Sequence, residues 1–110
     1  MEHDTRDEHG FAVVALHGDI DFHSSPDARK VLLNLVGAER DVLVEMADVK
    51  YIDSSGVASL IEAFQAAKSA GTRFGLVSVS AAVLKVLKLA HLEKVFPIFQ
   101  NVAEGAGGRS

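Results

Sequence analysis

Cysteine is absent from all 110 residues, which removes disulfides, thiolate nucleophiles, thiol redox chemistry and the sulfur-bearing zinc sites together. Long apolar runs are missing too. The longest unbroken one, Phe11 to Leu16, falls far short of the ~20 residues that cross a bilayer, so no membrane span is encoded. Nor is there a cationic excess: lysine and arginine total 11 against 15 aspartates and glutamates, a formal charge of −4. No basic field draws the chain to phosphate backbones or anionic lipid, and direct nucleic-acid binding is not expected. The opening stretch Met1-Glu2-His3-Asp4-Thr5-Arg6-Asp7-Glu8-His9 is charged throughout and lacks the apolar segment of a secretory signal. Residues 1–9 are therefore expected as a polar tail, and the protein is expected in the cytoplasm.

Catalytic signatures are equally scarce. No glycine-rich loop ends in Gly-Lys-Ser/Thr, so phosphate-cradling machinery for nucleotide hydrolysis is not encoded. The Gly-x-Ser-x-Gly elbow of serine hydrolases does not fit, because Asp53 stands two positions before Ser55 and Val57 two after it. The five histidines, His3, His9, His17, His23 and His91, show no paired helical spacing for a metal and read as solvated or hydrogen-bonded. Gly105 to Gly108 has no strand leading in and no helix leading out, so residues 105–110 read as a flexible tail rather than a dinucleotide loop. No catalytic residue, metal or cofactor is expected.

What is present is a folding pattern. With 48% hydrophobic and 24% charged residues, the chain has the composition of one globular domain, placed at residues 10–104. Phe11 to His17 reads as a buried strand punctuated by Gly18, with Asp19-Ile20-Asp21 following as a short extension or turn. Ser24-Ser25-Pro26-Asp27 opens a helix with a hydroxyl cap, an early proline and a first-turn acid. Ala28, Val31, Leu32, Leu35 and Val36 then recur at helical spacing up to Gly37. Val42 to Met46 alternates as a second strand, with Glu45 placed at an end or edge of its apolar face. A second helix follows Asp53 with Val57, Leu60, Ile61, Phe64 and Ala67 on one side and Gly71 as its stop. Phe74 to Val77 is a short strand, Ser80 caps a helix through Ala90, and Val95-Phe96 is the last strand candidate. A final short helix is expected over residues 99–104. The helix from Ala81 is apolar at all but Lys85 and Lys88, more than one buried face demands; a wide core face explains this first, and the alternative is Leu84 or Leu89 at the surface, open to a partner. Such alternation points to an α/β domain with parallel strands joined by helical crossovers.

One turn stands out chemically. Asp53-Ser54-Ser55-Gly56 lies where a strand's carboxyl end meets a helix amino terminus, and free amides and the positive dipole end favour an anion there. By local physics alone, Asp53 or Ser54 as an ordinary cap, with Gly56 relieving crowding, explains the same residues.

The order Gly18-Asp19-Ile20-Asp21, Val42-Leu43-Val44-Glu45-Met46, Tyr51-Ile52-Asp53-Ser54-Ser55-Gly56-Val57, Phe74-Gly75-Leu76-Val77 and Val83 to Leu92 resembles the STAS family. Its name joins sulfate transporters with anti-sigma factor antagonists. The resemblance spans nearly everything from Phe11 to Glu104, and at this size it is to the stand-alone bacterial antagonists. It implies a single STAS-like α/β domain, a mixed sheet of four to five strands with amphipathic helices. It also implies no enzymatic activity. Carried onto this chain, the resemblance puts a phosphoacceptor at Ser55, with Ser54 the alternative. The partner surface falls on Asp19, Asp21, Phe22, His23, Ser24, Asp53, Ser54, Ser55, Gly56 and Val57. The implied partners are an anti-sigma factor serine kinase and a phosphatase acting on the phosphoserine, with the chain itself a monomer or weak homodimer. Two departures are visible: Ala58 stands where many members have glycine, and Phe22 brings an apolar group into the loop. The rival implication is an accessory subunit docking on a lipid ABC or anion transporter, with the turn as an unmodified interface.

Overall fold

The apolar segments after Gly10 and Asp41 become two long neighbouring strands at the centre of a sheet. A computed structural model describes residues 1–107. In chain order the elements are β1 (Glu2–Glu8), β2 (Phe11–Ile20), α1 (Ser25–Gly37), β3 (Val42–Ile52), α2 (Ser54–Ala70), β4 (Phe74–Val77), α3 (Ala81–Leu89), β5 (Ile98–Phe99) and α4 (Val102–Gly107). The five strands lie side by side in sequence order, β1 antiparallel to β2 and the rest parallel. The architecture is thus a single α/β domain with a mixed five-stranded sheet.

Strand alternation divides the apolar residues between two faces. One face, with Val14, Leu16, Val42, Val44, Met46 and Leu76, is covered by Ala28, Leu32 and Val36 of α1, Leu60, Ala63 and Ala67 of α2, and Val83 and Leu87 of α3. The opposite face carries a smaller cluster in which Phe11, Val13, Leu43 and Val77 meet Val102 of α4. The helix starts match local chemistry. Asp53 caps α2, Gly71 ends it in the left-handed conformation, and Ser80 accepts the Val83 amide at the start of α3.

Several expectations are corrected. Residues 1–9 are not a tail, for Glu2–Glu8 pair with Phe11–His17 in full register. Backbone hydrogen bonding supplies this pairing, so the strand needs no apolar side chains of its own. Gly18 interrupts β2 without ending it, so of the two readings for Asp19-Ile20 the extension holds and the turn does not. The glycine holds a positive φ of 88° inside the strand, at a register irregularity against β3, and the strand continues to Ile20. β3 likewise runs on to Ile52, and Glu45 sits within it, paired to Arg6 of β1. The last strand is Ile98–Phe99 instead of Val95-Phe96, because Phe96 turns into the core against Phe64 while Ile98 and Phe99 pair with Leu76 and Val77. The final helix lies at 102–107, not 99–104. Of the expected tail, residues 105–107 belong to it, Gly105 being buried, and residues 108–110 fall outside the described residues. Ser24 precedes α1 but gives no side-chain cap; its hydroxyl instead accepts the Asp21 amide and faces the Asp19 carbonyl. On α3, Leu89 is 74% exposed and Leu84 is half-buried.

Candidate functional site

Two loops meet at the carboxyl ends of β2 and β3. The strands are in register through Asp19 opposite Tyr51 and Ile20 opposite Ile52, and the Asp53 amide continues the ladder to the Ile20 carbonyl at 3.2 Å. The loop to α1 and the turn into α2 therefore leave the sheet side by side.

Asp53 organises the turn. Its Oδ1 accepts from the Ser55 amide at 2.9 Å, the Ser55 hydroxyl at 2.8 Å and the Gly56 amide at 3.1 Å. Its Oδ2 accepts the Phe22 amide at 3.1 Å. The Ser55 hydroxyl, joined by the Gly56, Ser55 and Phe22 amides, holds the Asp53 carboxyl below the usual carboxylate range against partial desolvation. In the adjoining loop, Asp21 Oδ1 accepts the His23 amide at 2.9 Å and the Ser24 amide at 3.1 Å. The Ser24 amide, followed by that of His23, lowers the Asp21 carboxyl in the same way.

Gly56 is fixed by proximity. A Cβ there would lie 2.7 Å from Ile52 Cγ1 and 2.9 Å from both Ile20 Cγ2 and the Ile20 carbonyl oxygen. Only a bare backbone lets the first turn of α2 press onto the end of β2.

The sequence-predicted residues are thus brought together on one end of the sheet, but they are not equivalent. Ser54 is exposed at the first position of α2, and its hydroxyl bonds to no other described residue. Ser55 is half-buried with its hydroxyl committed to Asp53. Val57 is buried in the core and supports the turn from beneath, whereas Asp19, Phe22 and His23 are exposed. The Phe22 ring is 73% exposed and meets His23 edge-on at 5.6 Å. Tyr51, 52% exposed, adds an aromatic that strand alternation alone could have flagged, since buried Ile52 follows it.

One histidine outside this site has a defined role. His17 on β2 bridges strands, Nε2 to Asp4 of β1 and Nδ1 to Asp48 of β3, both at 3.0 Å. Two acceptor-only carboxylates are satisfied together only by an imidazolium, and the bonds to Asp4 and then Asp48 raise the His17 pKa. No group of three or more metal-ligating side chains is assembled among the described residues, and none of their helices is long and apolar enough to cross a membrane.

Comparison with known proteins places this geometry in a wider setting. Residues 2–105 match the family described as the STAS domain. The anti-sigma-B factor antagonist of Bacillus subtilis is 27% identical over 85 residues, 77% of this chain and 78% of that protein. The crystal structure of an anti-sigma factor antagonist from Mycobacterium paratuberculosis superposes with a TM-score of 0.87 at 21% identity, covering 97% of this chain and 92% of that one. The Bacillus cell fate determinant SpoIIAA in its phosphorylated form superposes with a TM-score of 0.72 at 17% identity, over 94% and 95% of the two chains.

Proposed function

The chain belongs to the STAS domain family, and from that premise we propose that it is an anti-sigma factor antagonist controlled by phosphorylation of its Asp-Ser-Ser-Gly turn. Unmodified, it binds an anti-sigma factor serine kinase in the cytoplasm through the turn at Asp53 to Val57 and the loop at Asp19 to Ser24, and a sigma factor is thereby freed. The free protein is a monomer or weak homodimer. It catalyses nothing, and ATP and its magnesium belong to the kinase.

The observation that carries this reading is the state of Ser54: an exposed hydroxyl at the amino end of α2, beside a carboxylate already saturated with hydrogen bonds. A kinase reaches it without dismantling the cap. Phosphorylation of Ser55, the position to which the family resemblance pointed, would require breaking its 2.8 Å bond to Asp53. We therefore place the acceptor at Ser54, with Ser55 as the alternative. Phosphate adds about −1.5 to −2 charges next to Asp53 and a strongly hydrated group in the interface. A loss of ~3 kcal/mol weakens a complex roughly a hundredfold, enough to return the kinase to its sigma factor. A phosphatase then resets the switch. The names of the similar proteins, and the phosphorylated form of one of them, support the same reading.

Incubation with the anti-sigma factor kinase and ATP, followed by mass spectrometry of the turn peptide, tests it. One phosphate on Ser54 is expected. Phosphate confined to Ser55 would move the acceptor by one residue. No phosphate, together with a stable complex with a transporter subunit, would replace the switch by an accessory role.

A further inference from the structure

At the opposite end of the sheet, the amino ends of β2 and β4 border an open cleft of about 280 Å³. Four of the chain's six phenylalanines, Phe11, Phe64, Phe74 and Phe99, wall it together with Leu43 and Pro97. Two glycines shape the floor. A Cβ on Gly75 would meet the Phe99 ring at 3.0 Å, and one on Gly105 would meet Phe99 and Leu43 at 3.2 Å. Their bare backbones seat the Phe99 ring between β4 and α4 and leave the space beside it open.

Arg73 is the charged residue on the rim, with the Thr72 hydroxyl next to it. Its backbone is pinned twice, by its amide to Asp41 Oδ1 at 2.9 Å and by its carbonyl to the Val42 amide at 3.0 Å. The guanidinium lies over the Phe11 ring, 5.7 Å from the centroid. Arg6, Arg29 and Arg40 each reach a carboxylate. Among the described residues Arg73 is the arginine that does not, in a chain with 15 acidic residues. An aromatic-walled slot with a single positioned cation at its mouth has the makeup of a small-molecule site, and its volume falls just below the ~300–1,000 Å³ that drug-sized ligands occupy, which suits a smaller molecule.

We propose that this cleft binds a medium-chain or aryl monocarboxylate, the apolar body among the phenylalanines and the carboxylate on the Arg73 guanidinium. A guanidinium presents paired donors that match a carboxylate, and stacking on Phe11 restricts its rotamers before the ligand arrives. The volume excludes long acyl chains, and the lone cation favours one negative charge over two.

Octanoate is a suitable probe and octanol its neutral counterpart. Isotope-labelled protein is titrated with each, as wild type, as Arg73→Gln and as Lys85→Gln, and followed by backbone amide shifts. Saturable shifts are expected at Arg73, Gly75, Phe99 and Gly105, with octanoate held about tenfold more tightly than octanol, the increment of one charge-assisted contact at a solvated rim. Arg73→Gln should level the two probes, and Lys85→Gln should keep the difference. The proposal is overturned by shifts that do not saturate, by shifts centred on exposed Leu89 of α3, by equal binding of the two probes to the wild type, or by an Arg73→Gln protein that still prefers octanoate.

Discussion

The amide of Phe22 donates to Asp53 Oδ2 at 3.1 Å, so the carboxylate that caps α2 also holds the loop that opens α1, 31 residues away in the chain. One side chain positions both halves of the proposed interface: the turn bearing Ser54 and the loop bearing the exposed Phe22 ring.

Replacing Asp53 separates these two tasks. Asp53→Ala removes the cap and should cost about 1–2 kcal/mol in urea denaturation, a fall in Tm of roughly 4–8 °C per kcal/mol for a domain of this size. Asp53→Asn keeps one oxygen acceptor and should hold most of that stability. Its NH2 group cannot accept, so either the α2 amides or the Phe22 amide loses its partner. Faster hydrogen exchange at Phe22 with near-normal stability is the expected signature; unchanged exchange would show that the link to Phe22 does not hold the loop.

Glycines at different sites should respond in opposite directions. Gly56→Ala forces a Cβ to within 2.9 Å of the Ile20 carbonyl oxygen and should destabilise by about 1–3 kcal/mol. Gly37, near the end of α1, has nothing within 4 Å of an added Cβ. Gly37→Ala should stabilise by about 0.4–1 kcal/mol, chiefly by restricting the unfolded chain. Thermal unfolding of both variants checks the pair, and a tolerated Gly56→Ala would contradict the close approach of α2 to β2.

Stability should carry a pH signature from His17. Its pKa is raised above the ordinary 6.5 by Asp4 and then Asp48, so the folded chain keeps a proton that the unfolded chain releases. The stabilisation is fully present below the unfolded value and is lost as pH rises through the folded one. Urea midpoints measured from roughly pH 6 to 9 should fall for the wild type and fall less for His17→Gln. Parallel declines would exclude His17 as the source.

Serine variants distinguish the two hydroxyls of the turn. Ser54→Ala should abolish kinase-dependent phosphate incorporation yet still bind the kinase, since only a small exposed hydroxyl is lost. Ser55→Ala should remain phosphorylated and lose up to about 1 kcal/mol of stability with its bond to Asp53. Phosphate counting and chemical denaturation together read both effects. The reverse pattern of incorporation would assign the acceptor to Ser55.

The elements legible in the chain are those whose decisive contacts are local. Asp53 reaches amides two and three residues on, Ser80 reaches Val83, and Gly71 accommodates its own positive φ. Residue type and short spacing predict such features at these three positions, whereas the same signal at Ser24 gives no cap because its hydroxyl accepts from the Asp21 amide and donates to the Asp19 carbonyl. The apolar periodicities of α1, α2 and α3 were readable for the same reason, because a helix face is a property of neighbours in sequence. The Asp-Ser-Ser-Gly turn and its place before a helix belonged to this class; its contact with the loop after β2, made by Phe22 and Asp53 31 residues apart, did not.

Other features were decided only when distant segments met. β1 has no apolar pattern to announce it and exists because its backbone groups pair with those of β2. The choice of Ile98–Phe99 over Val95-Phe96 as the edge strand depended on which aromatic the core had room for, and Phe96 fills that space against Phe64. The same holds inside the site. Two adjacent serines are equivalent as letters, and tertiary placement alone exposed Ser54 while binding Ser55 to Asp53. Periodicity foretells which residues become buried, because burial is shared along a whole face. It does not foretell which individual hydroxyl, carboxylate or strand edge finds a partner, because hydrogen bonds are directional and their partners here lie as much as 39 residues away.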